Sequence, residues 1–313
     1  MNQTSVKEFI FLGISNDPRV QVLLFTSFVF IYFGTILGNI IIILVITVDP
    51  LLHSPMYRFL RNLSMLEACY ITVTIPKMLI TILSRRKNIN LISCGVQMYM
   101  FVFIGTADCF LLAAMAYDRY VAICHPLHYT TIITKRVCAR LTTGAWLIGG
   151  TYSLGQTSAT FSLSYCGPNI INHFFCDVLP LLKLACSDTQ RNKVATYIAG
   201  VLIVFMPFVL IVTSYVYIIA AILKIRSAMG RHKAFSTCAS HLLSVSLFYG
   251  TGTCAYVLPK SGHWQNSDKL LALFYAAVLP MLNPLIYSLR NQEVKGAVRK
   301  VLSRTKCSGQ YMS

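Results

Sequence analysis

Residues 22–48 read VLLFTSFVFIYFGTILGNIIIILVITV, from Val22 to Val48, without one Asp, Glu, Lys or Arg. At a helical rise of about 1.5 Å per residue the run reaches about 40 Å, more than the roughly 30 Å of hydrocarbon that a spanning helix must cross. Six further apolar stretches follow, at Tyr57–Leu83, Val96–Cys124, Leu141–Leu163, Thr196–Leu223, Phe235–Leu258 and Leu270–Leu289. Backbone polar groups in a bilayer must be satisfied internally, so stretches of this kind fold as helices. The expected fold is an all-α membrane protein, a seven-transmembrane helix bundle.

Composition agrees. Hydrophobic residues make up 56% of the 313 residues and charged residues 12%, and the mean hydropathy is +0.63. That leaves too little polar surface for a water-exposed domain. The net charge of +17 sits in short clusters between apolar stretches. Such clusters act on topology and lipid headgroups, which makes membrane lipids partners and gives no continuous basic face for nucleic acid.

With the amino terminus outside, 16 of the 27 Lys and Arg residues fall on cytoplasmic segments. The positive-inside rule favours that orientation, although Arg85, Arg86 and Lys87 in an outer loop oppose it. Residues 1–21 form the expected extracellular N-terminus, which lacks the apolar core of a signal peptide, and Asn2-Gln3-Thr4 within it is a glycosylation acceptor. Residues 22–289 form the transmembrane domain, and 290–313 a cytoplasmic amphipathic helix and tail. In that last segment Val294, Val298, Val301 and Leu302 recur at helical spacing opposite Lys295, Arg299 and Lys300. This predicts a short eighth helix lying on the inner leaflet. Cys307 beyond it is either a palmitoylation site or a plain thiol.

Two acids lie inside the spans. Glu67 is about 15 Å beyond Tyr57, and Asp108 about 21 Å below Cys94, so both fall near mid-membrane. An ionised side chain there costs roughly 2.5 to 3.5 kcal/mol, so these residues should face the bundle interior and have partners. Either they converge on a bound cation such as sodium or a shared proton, or each is protonated and bonded to neighbours such as Ser64 or Asn39. Asp118-Arg119-Tyr120 closes the third span about 15 Å below Asp108. There the arginine can pair with the adjacent carboxylate at rest and be released in another conformation.

The stretch Met115-Ala116-Tyr117-Asp118-Arg119-Tyr120-Val121-Ala122-Ile123-Cys124, followed by Pro126-Leu127-His128-Tyr129, is far from random. With it stand Gly38-Asn39, Leu52-His53-Ser54-Pro55-Met56-Tyr57, Ile75-Pro76-Lys77-Met78-Leu79, Lys233-Ala234-Phe235-Ser236-Thr237-Cys238-Ala239-Ser240-His241-Leu242 and Pro280-Met281-Leu282-Asn283-Pro284-Leu285-Ile286-Tyr287. Over nearly its whole length the chain resembles the vertebrate odorant receptors of the rhodopsin-like (class A) G-protein-coupled family, in their tetrapod-type (class II) subgroup. Many relatives carry Asp in the second span and Glu in the third, whereas here the acids are exchanged as Glu67 and Asp108, as expected if the two approach one another.

The resemblance carries further expectations. Cys94, Cys166, Cys176 and Cys186 allow three pairings by sequence alone, and the family implies Cys94 with Cys176 and Cys166 with Cys186. On the third helix Met98, Phe101, Val102 and Gly105 share one face, a pattern that also suits plain packing. The family places its odorant cavity there, with Thr106, Ala199, Ile203, Gly252, Thr253, Tyr256, Leu273 and Ala276. This lining suits a small neutral volatile held by burial and one or two hydrogen bonds. Amine receptors place an acid where Phe101 stands, and opsins a lysine where Ala277 stands. Lys77 is poorly placed to receive a carboxylate odorant. Tyr249 stands below the cavity, and Arg119, Tyr215, His241 and Tyr287 can rearrange together at the inner face.

The resemblance implies activation of the heterotrimeric stimulatory olfactory G protein, a rise in cyclic AMP, and a place in the plasma membrane of olfactory neuron cilia. A class A receptor for a non-odorant metabolite or lipid stays open, and so does a transporter or channel, although inverted repeats are not evident. No P-loop, HExxH or nucleophile-elbow motif points to an enzyme.

Overall fold

The first helix begins where Pro18 can follow a capping aspartate: the Asp17 carboxylate accepts from Arg19 N at 2.9 Å. A computed structural model of the chain describes residues 6–13, 17–84, 87–256, 273–290 and 293–299, and for 255, 256, 275 and 288–290 the backbone only. Its long helices are α1 (Pro18–Val48), α2 (Pro55–Leu83), α3 (Leu91–Cys124), α4 (Lys135–Phe161), α5 (Gln190–Leu223) and α6 (Ala228–Tyr256). The seventh, α7, is described from residue 273, where a π turn over Phe274–Val278 runs into Leu279–Arg290. A short α8 covers residues 293–299, with Val294 and Ala297 buried against the bundle. Val301 and Leu302, expected on the same face, lie outside the described residues, as do Asn2 and Cys307.

Five helices start several residues before the apolar stretches do. Pro18 replaces Val22 as the start of the first and Leu91 replaces Val96 as the start of the third, while Lys135 replaces Leu141, Gln190 replaces Thr196 and Ala228 replaces Phe235. Hydropathy marks the part of a helix in hydrocarbon, whereas the helix itself extends to its cap. Asn90 accepts from Ser93 N at 2.7 Å, and Thr134 Oγ1 from Val137 N at 3.3 Å.

The helices close a ring in which α1 packs on α2 and α7, while α3 runs through the middle against α2, α4, α5 and α6. Apolar side chains also face outward, among them Phe30, Phe33 and Leu37 of α1 and Leu202 and Phe205 of α5. Lipid tails are as apolar as these side chains, so close approach through small residues, more than burial, holds such helices together. Gly149 brings α4 onto α3: a Cβ there would stand 2.8 Å from the Phe103 carbonyl oxygen. Next to it Ser153 Oγ donates to the Tyr99 carbonyl at 2.5 Å. Gly38 does the same for α1 and α7, where a Cβ would lie 3.1 Å from Pro284 Cβ.

One end of the bundle carries a three-stranded sheet that hydropathy did not reveal. β1 (Glu8–Phe11) lies between β2 (Asn88–Asn90), antiparallel, and β3 (Ile170–Ile171), parallel. Alternation along β1 points Phe9 and Phe11 inward, and both are fully buried among Ile89, Tyr165, Ile171 and Leu181. Disulfide Cys94–Cys176, with a Cα separation of 5.5 Å, fastens the long connection between α4 and α5 to α3 at this sheet end, and Cys166–Cys186, at 6.0 Å, closes the connection on itself. Burial pushes the Tyr165 phenol up to about 12, so it stays a donor, and it bonds the Thr160 carbonyl at 2.9 Å.

Candidate functional site

Beneath the sheet the bundle leaves a void. It is small, about 10 Å³, and partly open, and its walls come from α2 (Thr74, Ile75, Met78), the disulfide-bound connection (Phe174, Phe175) and α7 (Leu273, Ala276, Ala277). The connection reaches so deep because Cys176, next to Phe175, is pinned to Cys94, and Cys176 N donates to Gln97 Oε1 at 3.0 Å. Gln97 Nε2 in turn donates to the Val73 carbonyl at 3.1 Å, joining α3 to α2. The Phe175 ring then meets Phe101 at 4.6 Å between centroids, and Phe101 meets Tyr70 at 5.4 Å. The void is almost wholly apolar, with the Thr74 hydroxyl turned back to its own helix, onto the Tyr70 carbonyl at 2.9 Å.

Deeper down lies a polar centre. Glu67 and Asp108 are both buried, and Asp108 lies near enough for its charge to act on Glu67. Asn283 Nδ2 of α7 donates to Glu67 Oε1, and Asn39 Nδ2 of α1 donates to its own Thr35 carbonyl at 3.0 Å. Asp108 Oδ1 and Asn283 Oδ1 accept no hydrogen bond from another protein group.

At the far end, Tyr215 of α5 and His241 of α6 are in contact at 2.7 Å, and His241 Nε2 stands 3.1 Å from the Leu112 carbonyl of α3. The carbonyl can only accept, so Nε2 carries the proton and Nδ1 accepts from the tyrosine hydroxyl. The Arg119 charge acts on Tyr215, His241 and Tyr287 together. The Asp118 carboxylate accepts from Tyr129 OH at 2.8 Å, besides lying within reach of the Arg119 charge. Burial and that carboxylate push the Tyr129 phenol well above its usual range, which keeps it a donor. Tyr120 turns away, to His125 Nε2 at 3.2 Å.

The family model described as olfactory receptor matches residues 28–305. Human olfactory receptor 10A5 is 52% identical over 311 residues, covering 98% of both chains. Human olfactory receptor 10A7 is 50% identical over 303 residues, 97% of this chain and 96% of that one. Mouse olfactory receptor 5G25 is 50% identical over 307 residues, 98% of this chain and 96% of that one. The chain belongs to the olfactory receptor family. It is accordingly a multi-pass membrane receptor of the G-protein-coupled class and not an enzyme.

In this olfactory receptor only part of the expected cavity lining surrounds the void. Leu273 and Ala276 do, and Phe101 touches its wall through Phe175. Met98 is buried in the sheet-end cluster among Phe9, Cys94 and Cys176, so it packs the cap. Thr106 is buried deeper on α3, while Val102, Gly105, Ala199, Ile203 and Gly252 are half-buried and Thr253 exposed, none of them on the wall of the void. The Tyr256 side chain lies outside the described residues. Tyr249 packs on Phe208 and Phe248, with ring centroids 4.9 and 5.3 Å away, and is not on the wall of the void. Lys77 donates to the Asn88 carbonyl at 2.7 Å, away from the void. Sequence reasoning missed Thr74, Ile75, Met78, Phe174 and Phe175. The signal was present for the last two, since they directly precede the cysteine that binds α3.

Proposed function

We propose that this olfactory receptor binds a small, neutral, mainly apolar volatile in the sheet-end half of its bundle and answers by activating a stimulatory olfactory G protein that raises cyclic AMP. The observation that carries this reading is the stacking of three levels along α2, α3 and α7: an apolar void, the polar centre of Glu67 and Asp108, and the Arg119 cluster. A ligand that draws α2, α7 and the Phe174-Phe175 segment together acts on the same helices that hold Glu67 and Asn283. A shift there changes the support of Tyr287, one turn further along α7, and so the surroundings of Arg119. On this account Asp118, Arg119, Tyr120, Tyr215, His241, Tyr249 and Tyr287 form the switch.

The sheet end faces outside the cell and the Arg119 end the cytosol, in a plasma membrane such as that of olfactory cilia. Residues 1–21, 22–289 and 290–313 serve as outer terminus, membrane domain and inner tail, with α8 against lipid headgroups. The oxygen-rich set of Glu67, Asp108, Asn39 and Asn283 suits a hard cation such as sodium, which would supply positive charge when bound. Among the described residues no cluster of three His, Cys, Asp or Glu side chains suits a transition metal.

A cyclic AMP screen of a chemically diverse odorant panel tests the reading, with Arg119→Ala as control. Saturable responses that the control loses support it, and a well-expressed receptor silent to the whole panel overturns it.

A further inference from the structure

A second void lies beside the first. It too is small, about 10 Å³, and partly open, and it sits between the sheet-end tips of α1 and α2 with Gln21, Leu24, Ile82 and Lys87 in its walls. Met78 and Phe174 line both voids. These two buried side chains are therefore the septum between an outer chamber and the inner one.

We propose that the outer chamber is a vestibule through which the odorant reaches the inner void, and that Met78 and Phe174 are the gate. The proposal rests on the odorant reading above. Among the described residues, the way straight through the sheet end is closed by a buried cluster around Phe9, Phe11 and the Cys94–Cys176 disulfide. Opening it would mean unpacking a covalently tethered cap. Displacing Met78 needs only rotations of an unbranched thioether chain, which side chains make within nanoseconds once their neighbours yield. Phe174 is held on one face by His173, with ring centroids 4.4 Å apart, so it turns less readily, and Met78 is the moving part.

The chamber also sorts what enters. Leu24 and Ile82 offer apolar wall, while Gln21 and Lys87 place hydrogen-bond donors at its margin. The molecule that fits is small and apolar with one acceptor oxygen, as in an aldehyde, ketone or ester. An ammonium compound is disfavoured by the Lys87 charge.

The test needs no odorant. A cysteine reporter on the inner wall, Thr74→Cys, is exposed to methyl methanethiosulfonate, a small neutral thiol reagent, in the purified full-length receptor. Its labelling rate is followed by mass spectrometry of the peptide containing residue 74. Ala277→Cys on the opposite wall serves as a second reporter should the first fail to fold, and protection of the buried native Cys109 reports on the fold in every sample. Filling the vestibule with Leu24→Trp should slow reporter labelling by about tenfold, and trimming the gate with Met78→Ala should speed it by about tenfold, each with Cys109 still protected. Labelling of both reporters at the parent rate in Leu24→Trp would overturn the proposal. Such a failure would leave the cyclic AMP response to odorants intact, whereas a silent odorant screen would leave these rates untouched, so the two ideas fail separately.

Discussion

The Asn283 side-chain amide donates a hydrogen bond to the Glu67 carboxylate and so ties α7 to α2 at the middle of the bundle. Asn283 Oδ1 and Asp108 Oδ1, both buried, accept from no other protein group. An unmade buried hydrogen bond costs about 1–3 kcal/mol, so a cation or an added proton there would be strongly held. Which of the two it is governs how the receptor answers to its medium.

If the centre holds sodium, raising sodium concentration should weaken the agonist-evoked cyclic AMP signal of the parent receptor. Glu67→Gln and Asp108→Asn each remove a negative charge and should abolish that dependence. Variants as sodium-sensitive as the parent would exclude the cation and leave the proton.

The Tyr215–His241 contact makes a different prediction. In Tyr215→Phe the phenyl ring stays and the donor to Nδ1 goes, leaving a buried acceptor unsatisfied at a cost of about 1–3 kcal/mol. Thermal unfolding of the purified receptor should shift downward. Tyr217→Phe, at a residue 56% exposed, should unfold with the parent. Equal behaviour of the two variants would remove the contact from the account.

Gly149 and Gly150 are neighbours that should respond oppositely to alanine. A Cβ at Gly149 meets the Phe103 carbonyl at 2.8 Å, an atom of the α3 backbone that cannot turn aside, whereas at Gly150 the nearest atom is Tyr99 Oη at 3.6 Å. Overpacking of this kind costs about 1–3 kcal/mol. Gly149→Ala should therefore lower thermal stability and surface expression, and Gly150→Ala should not. A stable Gly149→Ala receptor would show that α3 and α4 separate without cost.

The long helices were legible because hydrocarbon thickness fixes how many apolar residues a helix needs, and Glu67 and Asp108 are buried in the bundle, as acids within such helices should be. The sheet was not, since strands of two to four residues carry no periodicity, and β1 finds its partners 80 and 160 residues away. Helix ends were misplaced where polar caps such as Asn90 and Thr134 extend the helix past its apolar part. The void is where sequence reasoning fell shortest. A stripe on α3 singled out Met98 and Phe101, but the depth to which Phe174 and Phe175 reach follows from the Cys94–Cys176 tether, and that is a long-range constraint. The Asp118–Tyr129 bond was hidden for the same reason, because adjacency in sequence favoured Arg119 as the partner.

The most direct measurement is a cyclic AMP dose–response curve for a panel odorant in the parent receptor and in Ala276→Trp, with surface expression matched. Ala276 lines the void and is 2% exposed, so an indole there occupies the space a ligand would use. The expected result is a saturable response in the parent and a curve shifted by tenfold or more, about 1.4 kcal/mol of binding, in the variant. Superimposable curves would place the odorant elsewhere and contradict the account.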